Sequence, residues 1–489
     1  MTPETAILGA IAVPLLGAAL IGAAHRVPDL REAVTLVTAV ALFLLVATLA
    51  PGVLAGARPA AHVAEVMPGI DLAFRVEPLG MLFALVSSGL WIVNSLYSIG
   101  YMRGNREAHQ TRYYVCFAAA LASTMGIAFA GNLFTLFLFY EALTLVTYPL
   151  VTHHGTDEAR RAGRLYIGVL VGTSIVFLLV AIIWTWAITG TIEFEPGGIL
   201  AGSASNATVG LLLALYVFGI GKAAVMPVHR WLPAAMVAPT PVSALLHAVA
   251  VVKAGAFAVV KVVVYVFGVE AISGLASVDW LPFIAGFTVI AASIVALRSD
   301  DLKRRLAYST VSQLSYVVLA AALLTPLSVI GAALHIATHA LGKITLFFCA
   351  GAIYTAAHKS RVSELDGIGR HMPWTMAAFT VGALSLIGVP PAAGFVSKWF
   401  IISGALQAGH YPAVAVFIAS TLLNAAYFLP IVHAAFFRRG PEDAHAAHGE
   451  APWPMVAATT ATAAATIALF FVADLPLALA RQLSFGPAG

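Results

Sequence analysis

The sequence predicts an all-α polytopic membrane protein of about 14 transmembrane helices, and three observations carry that prediction. Of 489 residues, 61% are hydrophobic and 10% are charged, with a mean hydropathy of +0.93; soluble chains carry about 25% charged residues. Apolar runs of about 20 residues recur from end to end, each long enough to cross hydrocarbon as a helix. The runs are continuous rather than alternating, which selects helices over a closed barrel as the way to satisfy the backbone in lipid.

Taken in order, the spans centre near Leu16, Phe43, Ser88, Leu121, Tyr140, Phe177, Tyr216, Val252, Val289, Val311, Thr338, Leu384, Leu422 and Ala463. The first, near residues 7–24, has no basic residue ahead of it, which argues against a cleaved signal peptide. Eighteen of the 26 Lys and Arg residues fall in loops that follow odd-numbered spans, from Arg26 and Arg31 to Arg438 and Arg439. The opposite side, tails included, holds only Arg58, Arg75 and Arg481. The positive-inside rule therefore puts the odd loops in the cytoplasm and both termini outside. Cys116 and Cys349 stand far apart in apolar runs and read as small core residues, not as a disulfide or thiolate site.

Five basic residues remain, all within spans: Lys222, Lys253, Lys261, Lys343 and Lys398. Among the 22 acids, only Glu141 lies deep in an apolar run. A charge near the bilayer centre costs at least about 2.5–3.5 kcal/mol, so such residues face the bundle interior, water or one another. Lys261 lies near the outer end of its span, where snorkelling to the interface would account for it. One acid cannot neutralise the other four, which must exchange protons or depend on water. Lysine suits that task, because low dielectric favours the neutral amine.

Two spans are interrupted at comparable places. The seventh reads YVFGIGKAAVMPVHRWLP around Lys222, and the twelfth reads SLIGVPPAAGFVSKWF ahead of and through Lys398. Proline removes a helix hydrogen bond and glycine loosens the ladder, leaving backbone groups unpaired beside each lysine. Paired Gly/Pro-broken helices point to inverted repeats. The five-span offset predicts two five-helix repeats of opposite orientation, at about 112–267 and 278–437, within a single transmembrane domain spanning 1–489.

Further polar groups gather around these breaks. SALLHAVAVVKAG places His247 and Lys253 six apart, on different faces of one helix, which would let them serve different neighbours. HIATHALGK places His335, His339 and Lys343 at successive i, i+4 steps, one polar stripe on one face. In the tenth span Tyr308, Ser309, Thr310, Ser312 and Gln313 suit water anchoring and helix packing equally well. His153 and His154 in one loop, and His445 and His448 beside Glu442, Asp443 and Glu450 in another, lack cysteines and metal-ligand spacing and read as solvated polar loops. The sequence has no Walker A run, no GxGxxG after a strand, no CxxCH and no Fe–S cysteine set. We therefore expect no cofactor, no metal site and no catalytic centre in this chain, and an energy source in an ion gradient or in partner subunits.

GKAAVMPVHRWLPAAMVAPTPVSALLHA, LAYSTVSQLSY, HIATHALGKITLFF and GVPPAAGFVSKW resemble signature segments of the antiporter-like subunits shared by respiratory complex I, membrane-bound hydrogenases and Mrp-type multisubunit cation/proton antiporters. The resemblance covers roughly residues 70–440. It implies fourteen helices with two inverted five-helix repeats, each with a broken helix. It also implies a proton path in which Glu141 pairs with Lys222, His247 and Lys253 lie on the central axis with His335, His339 and Lys343, and Lys398 ends the second half-channel. Lysine or glutamate fills that last position among members of the family. The length and architecture resemble the D-type Mrp subunit, whereas the largest complex I subunit continues into a lateral helix. A fourteen-helix subunit of complex I or of a hydrogenase is the alternative. The implied setting is a bacterial inner membrane. The implied partners are other membrane subunits, protons and Na+, with no nucleic acid.

Overall fold

The computed structural model describes residues 2–439 and 449–483 of the chain. The segment holding Glu442, Asp443, His445 and His448 lies outside the described residues. Helices dominate: α1 (Pro3–Ala23), α2 (Pro28–Leu54), α3 (Pro78–Gly104), α4 (Gln110–Ala128), α5 (Leu133–Val151), α6 (Asp157–Thr189), α7 (Asn206–Gly219), α8 (Thr240–Phe267), α9 (Trp280–Arg298), α10 (Leu302–Ala322), α11 (Pro326–Ala357), α12 (Pro373–Ile387), α13 (Gly394–Gln407), α14 (Tyr411–Phe437), α15 (Trp453–Phe471) and α16 (Asp474–Arg481). Every span centre read from the sequence falls within a helical segment, and among the described residues ten helices are long and apolar enough to cross a membrane. The chain is an all-α polytopic membrane protein.

The helices start where the sequence supplies caps. Asn132, Thr156, Ser205 and Asp301 each accept a backbone N–H from three residues on, and Thr325 with Ser328 closes a capping box ahead of Pro326. Burial then sorts them into an inner and an outer set. The apolar windows of α8 and α11 are 100% and 94% buried, against 33% for α1, α14 and α15. The two helices carrying His247, Lys253, His335, His339 and Lys343 thus form the centre of the bundle. Residues such as Leu16, Phe287 and Leu422 project outward from the periphery, as lipid-facing side chains do.

Both expected breaks are present. After α7 the chain makes one 3₁₀ turn (Gly221–Ala223), and Ala224 takes left-handed backbone angles (φ 54°, ψ 34°). That conformation costs a non-glycine residue about 1–2 kcal/mol, and here it turns the chain away from the helix axis. After α12, Gly388 (φ +89°) ends the helix and α13 starts six residues later. Each break contains a cis peptide bond, Met226–Pro227 and Pro390–Pro391.

One element was not expected. Strands β1 (Ala60–Met67) and β2 (Ile70–Arg75) form an antiparallel hairpin between α2 and α3. Only its turn was signalled, by Pro68–Gly69 with Gly69 at φ +76°; β1, with three alanines and a glutamate in eight residues, carries little strand propensity of its own. The β2 edge does not stay open, since Gly131 N donates to Ala73 O at 2.9 Å and Arg75 N to Phe129 O at 2.7 Å. The hairpin therefore fastens the entrance of α3 to the α4–α5 turn.

Candidate functional site

The first break places Lys222 against α5. Its Nζ donates to Tyr140 O at 2.8 Å and Thr144 Oγ1 at 2.6 Å, and lies 3.2 Å from the centre of the Tyr140 ring. Tyr140 and Thr144 are one turn apart and share a face. Glu141 is rotated about 100° from that face and makes no ion pair among the described residues; its Oε1 has no hydrogen-bond partner. The expected Glu141–Lys222 contact is thus absent from this conformation, although the two groups lie within electrostatic reach. Gly255 of α8 packs directly on the break, where a Cβ would meet Ala223 N and the Lys222 carbonyl carbon.

The axis itself runs between α8 and α11. Lys253 is fully buried, and its Nζ lies 2.5 Å from His339 Nδ1, its one hydrogen bond among the described residues. One turn along α11, the His335 ring is 5.7 Å from that of His339. His335 joins two further helices, with Nδ1 2.9 Å from Ser397 Oγ on α13 and Nε2 3.1 Å from Gln313 Oε1 on α10. The i, i+4 stripe is therefore real, but Lys343 leaves it: its Nζ donates to Leu306 O at 2.9 Å.

The prediction that His247 and Lys253 face different neighbours is not met. His247 packs against Phe347 with ring centres 4.6 Å apart and planes tilted by 39°, and Lys253 meets His339, both partners lying on α11. A π-turn at Leu245–Val249 is the cause. It admits an extra residue and shifts the phase of everything after it. Among the described residues no hydrogen bond reaches either ring nitrogen of His247.

At the second break Lys398 closes the line. Its Nζ donates to Leu386 O at 2.7 Å and Ile387 O at 3.0 Å, the last carbonyls of α12, freed because Gly388 and the prolines supply no continuing helix. Tyr316 lies beneath the ammonium at 4.9 Å and also stacks on His335. Ser397, one residue before Lys398, contacts both His335 and Thr338. The structure thus brings Lys253, His339, His335 and Lys398 into one polar line, with His247 and Lys343 beside it, while Lys222 is held against α5.

Two other readings need correction. Lys261 does not snorkel: it is fully buried, 3.1 Å from Glu77 Oε2, and donates to Ala130 O at 2.7 Å. Sequence reasoning missed Glu77 because it sits at the start of α3, not inside an apolar run. The hairpin and the α4–α5 turn nevertheless cover it, to 4% exposure. Likewise His153 is no solvated loop residue. Glu107 and the Tyr113 ring enclose it, and burial pushes its pKa down to about 4. His154 is the exposed member, and its pKa is raised by the hydrogen bond to Glu107. Among the described residues no cluster of His, Cys, Asp and Glu fits a metal ion.

Comparison with known proteins adds an independent line. The family model described as "NADH:quinone oxidoreductase/Mrp antiporter, TM" matches residues 130–424. NADH-quinone oxidoreductase subunit N of Desulforudis audaxviator is 35% identical over 79% of this chain and 76% of its own length. A probable K(+)/H(+) antiporter component of Rhizobium meliloti is 31% identical over 77% of this chain, which spans only 38% of that longer protein. The fold matches a chain of the Mrp complex from a Dietzia species (TM-score 0.89, 24% identity, covering 100% of this chain and 98% of that one). It also matches a chain of an archaeal membrane-bound sulfane sulfur reductase (TM-score 0.85, 26% identity, 97% and 96%).

Proposed function

The chain belongs to the NADH:quinone oxidoreductase/Mrp antiporter transmembrane family, and from that premise we propose that it is the proton-translocating subunit of a multisubunit Mrp-type Na+/H+ antiporter in a bacterial inner membrane. The observation that carries proton movement is the buried line from Lys253 through His339 and His335 to Lys398. Four groups able to gain and lose a proton lie along this buried line, with no carboxylate among them to fix their charge.

The mechanism follows from the contacts. Lys222 holds its proton against Tyr140 O, Thr144 and the Tyr140 ring, with Glu141 one residue away around α5. Loss of the Glu141 charge, by movement or by pairing with a basic group of a neighbouring subunit, weakens that hold. A unit charge at about 4 Å is worth about 4 kcal/mol at an effective dielectric of about 20, which for the longer Glu141–Lys222 separation sets an upper bound of about three pK units. The proton then passes to Lys253 and along the two imidazoles, each with one nitrogen to receive and one to release. It leaves from Lys398. The two breaks, each carrying a lysine, support inverted repeats at 112–267 and 278–437, and the basic loops support both termini outside.

A charge-conserving Lys222→Arg variant in inside-out vesicles tests the path, because arginine stays protonated. We expect proton transport to be abolished with normal assembly; wild-type transport by that variant sinks the path. A second reading, a proton-pumping subunit of a complex I-type or hydrogenase-type complex, is favoured by the 35% identity to a quinone oxidoreductase subunit. Purification of the intact complex separates them: Na+-dependent proton exchange supports the first, and Fe–S subunits in the preparation support the second.

A further inference from the structure

On the face bearing the basic loops, a cavity of about 200 Å³ is lined by Tyr101, Glu107, His154, Thr240, Lys303 and Tyr354, among others. A wider cavity of about 870 Å³ shares His154 and Val237 with it. His154 thus forms part of the wall of both. Its Nδ1 is 3.1 Å from Val237 O, which assigns that nitrogen a hydrogen, and its Nε2 is 3.4 Å from Glu107 Oε2. A carboxylate facing the second nitrogen favours a second proton there. Val237 ends the last turn of the broken segment that begins at Lys222, and Lys303 Nζ donates to the next carbonyl, Ala238 O.

From this cavity a polar stripe leads inward. Thr240, Ser243 and His247 follow one another along the first turns of α8, three and four residues apart, on one face. Ser243 and His247 are fully buried, yet Ser243 Oγ and both ring nitrogens of His247 lack hydrogen-bond partners. Each such orphan costs about 1–3 kcal/mol unless water reaches it, and these two side chains, one turn apart between a polar cavity and the Lys253–His339 contact, are where bridging water would satisfy them.

We infer that the Glu107–His154 pair collects protons at the basic-loop face and delivers them through Thr240, Ser243 and His247 to the central line. This rests on the proton path proposed above. Facing His154 are Glu107, Lys303 and Lys359 across the smaller cavity and Glu158, Asp301 and Arg304 across the larger, with His153 next to it in the chain.

The assembled complex in inside-out vesicles, carrying Glu107→Gln, His154→Gln, Glu107→Asp or Lys253→Met, tests it. We expect Glu107→Gln and His154→Gln to slow proton uptake about five- to tenfold at pH 8 and much less at pH 6, moving the alkaline limb of the profile down by about one unit, with Glu107→Asp restoring it. Histidine-resolved deuterium exchange should show the His154 midpoint falling in Glu107→Gln, a change that simple loosening of the loop would not give. Wild-type profiles for both Gln variants alongside an inactive Lys253→Met overturn the collecting pair and spare the path. An active Lys253→Met overturns both. If the Gln variants do not accumulate, Ser243→Cys in a chain lacking Cys116 and Cys349 decides. Labelling by an impermeant methanethiosulfonate from the basic-loop face supports the route, and a folded, unlabelled protein overturns it.

Discussion

Removing Glu77 while keeping Lys261 should destabilise the protein more than removing both. The two side chains are 5% and 0% exposed, with 3.1 Å between Oε2 and Nζ. At an effective dielectric of about 20 their attraction is about 5 kcal/mol, and desolvation takes several kcal/mol per ion in the other direction. The intact pair is therefore close to break-even against apolar replacements, whereas a lone buried ammonium is not. Glu77→Gln should cost about 3–5 kcal/mol, a shift of about two to four powers of ten in the folding equilibrium. Glu77→Gln with Lys261→Met should recover most of it, since Ala130 O loses only one donor. Heating a Cys116→Ala background in detergent with a fluorogenic maleimide reads this out, because the remaining Cys349 is fully buried until the bundle opens. The double variant should also transport protons normally, as the pair lies apart from the Lys253–His339 line. A single Glu77→Gln as stable as the parent refutes the energetic argument, and a double variant that is stable but transports nothing refutes the structural assignment of Lys261.

Two further outcomes follow from the geometry. Gly255→Ala sets a Cβ against the backbone of the first break and should cost about 1–3 kcal/mol of overpacking, with a fall in transport larger than the fall in assembled complex when both are measured on the same vesicles. The acid sensitivity of the α5–α6 turn should trace to His153. Its folded pKa of about 4 lies below the ordinary 6.5, so the folded state binds fewer protons there, and stability is lost as pH falls from 6.5 towards 4. At pH 5 the loss is about 1.36 × 1.5, or about 2 kcal/mol; His153→Gln should flatten the dependence of the unfolding midpoint on pH over that range.

Helical segments and the two breaks were legible because each depends on local chemistry: length, hydropathy, and proline or glycine beside lysine. The stripe of His335 and His339 was legible because helical spacing is regular. What escaped the sequence is what depends on a neighbour or on an irregular turn. The π-turn before Val251 swings His247 onto the same helix that Lys253 meets, and no residue preference announces it. Glu77 lies outside any apolar run and drew no reading, His153 read as a solvated loop residue, and only tertiary neighbours make them buried. Lys222 turned to Tyr140 O and Thr144 because a lysine side chain reaches several acceptors, and sequence does not say which.

The carbonyls that hold Lys398 have a consequence for what position 398 will accept. Leu386 O and Ile387 O present lone pairs, at the end of α12 where the peptide dipoles of that helix also converge. An ionised carboxylate placed there would face two like partial charges, and an acid would be favoured there only by keeping its proton to donate. The backbone of the second break is thus a charge filter: as folded here, it dictates the sign of the residue opposite it before any gradient or partner does.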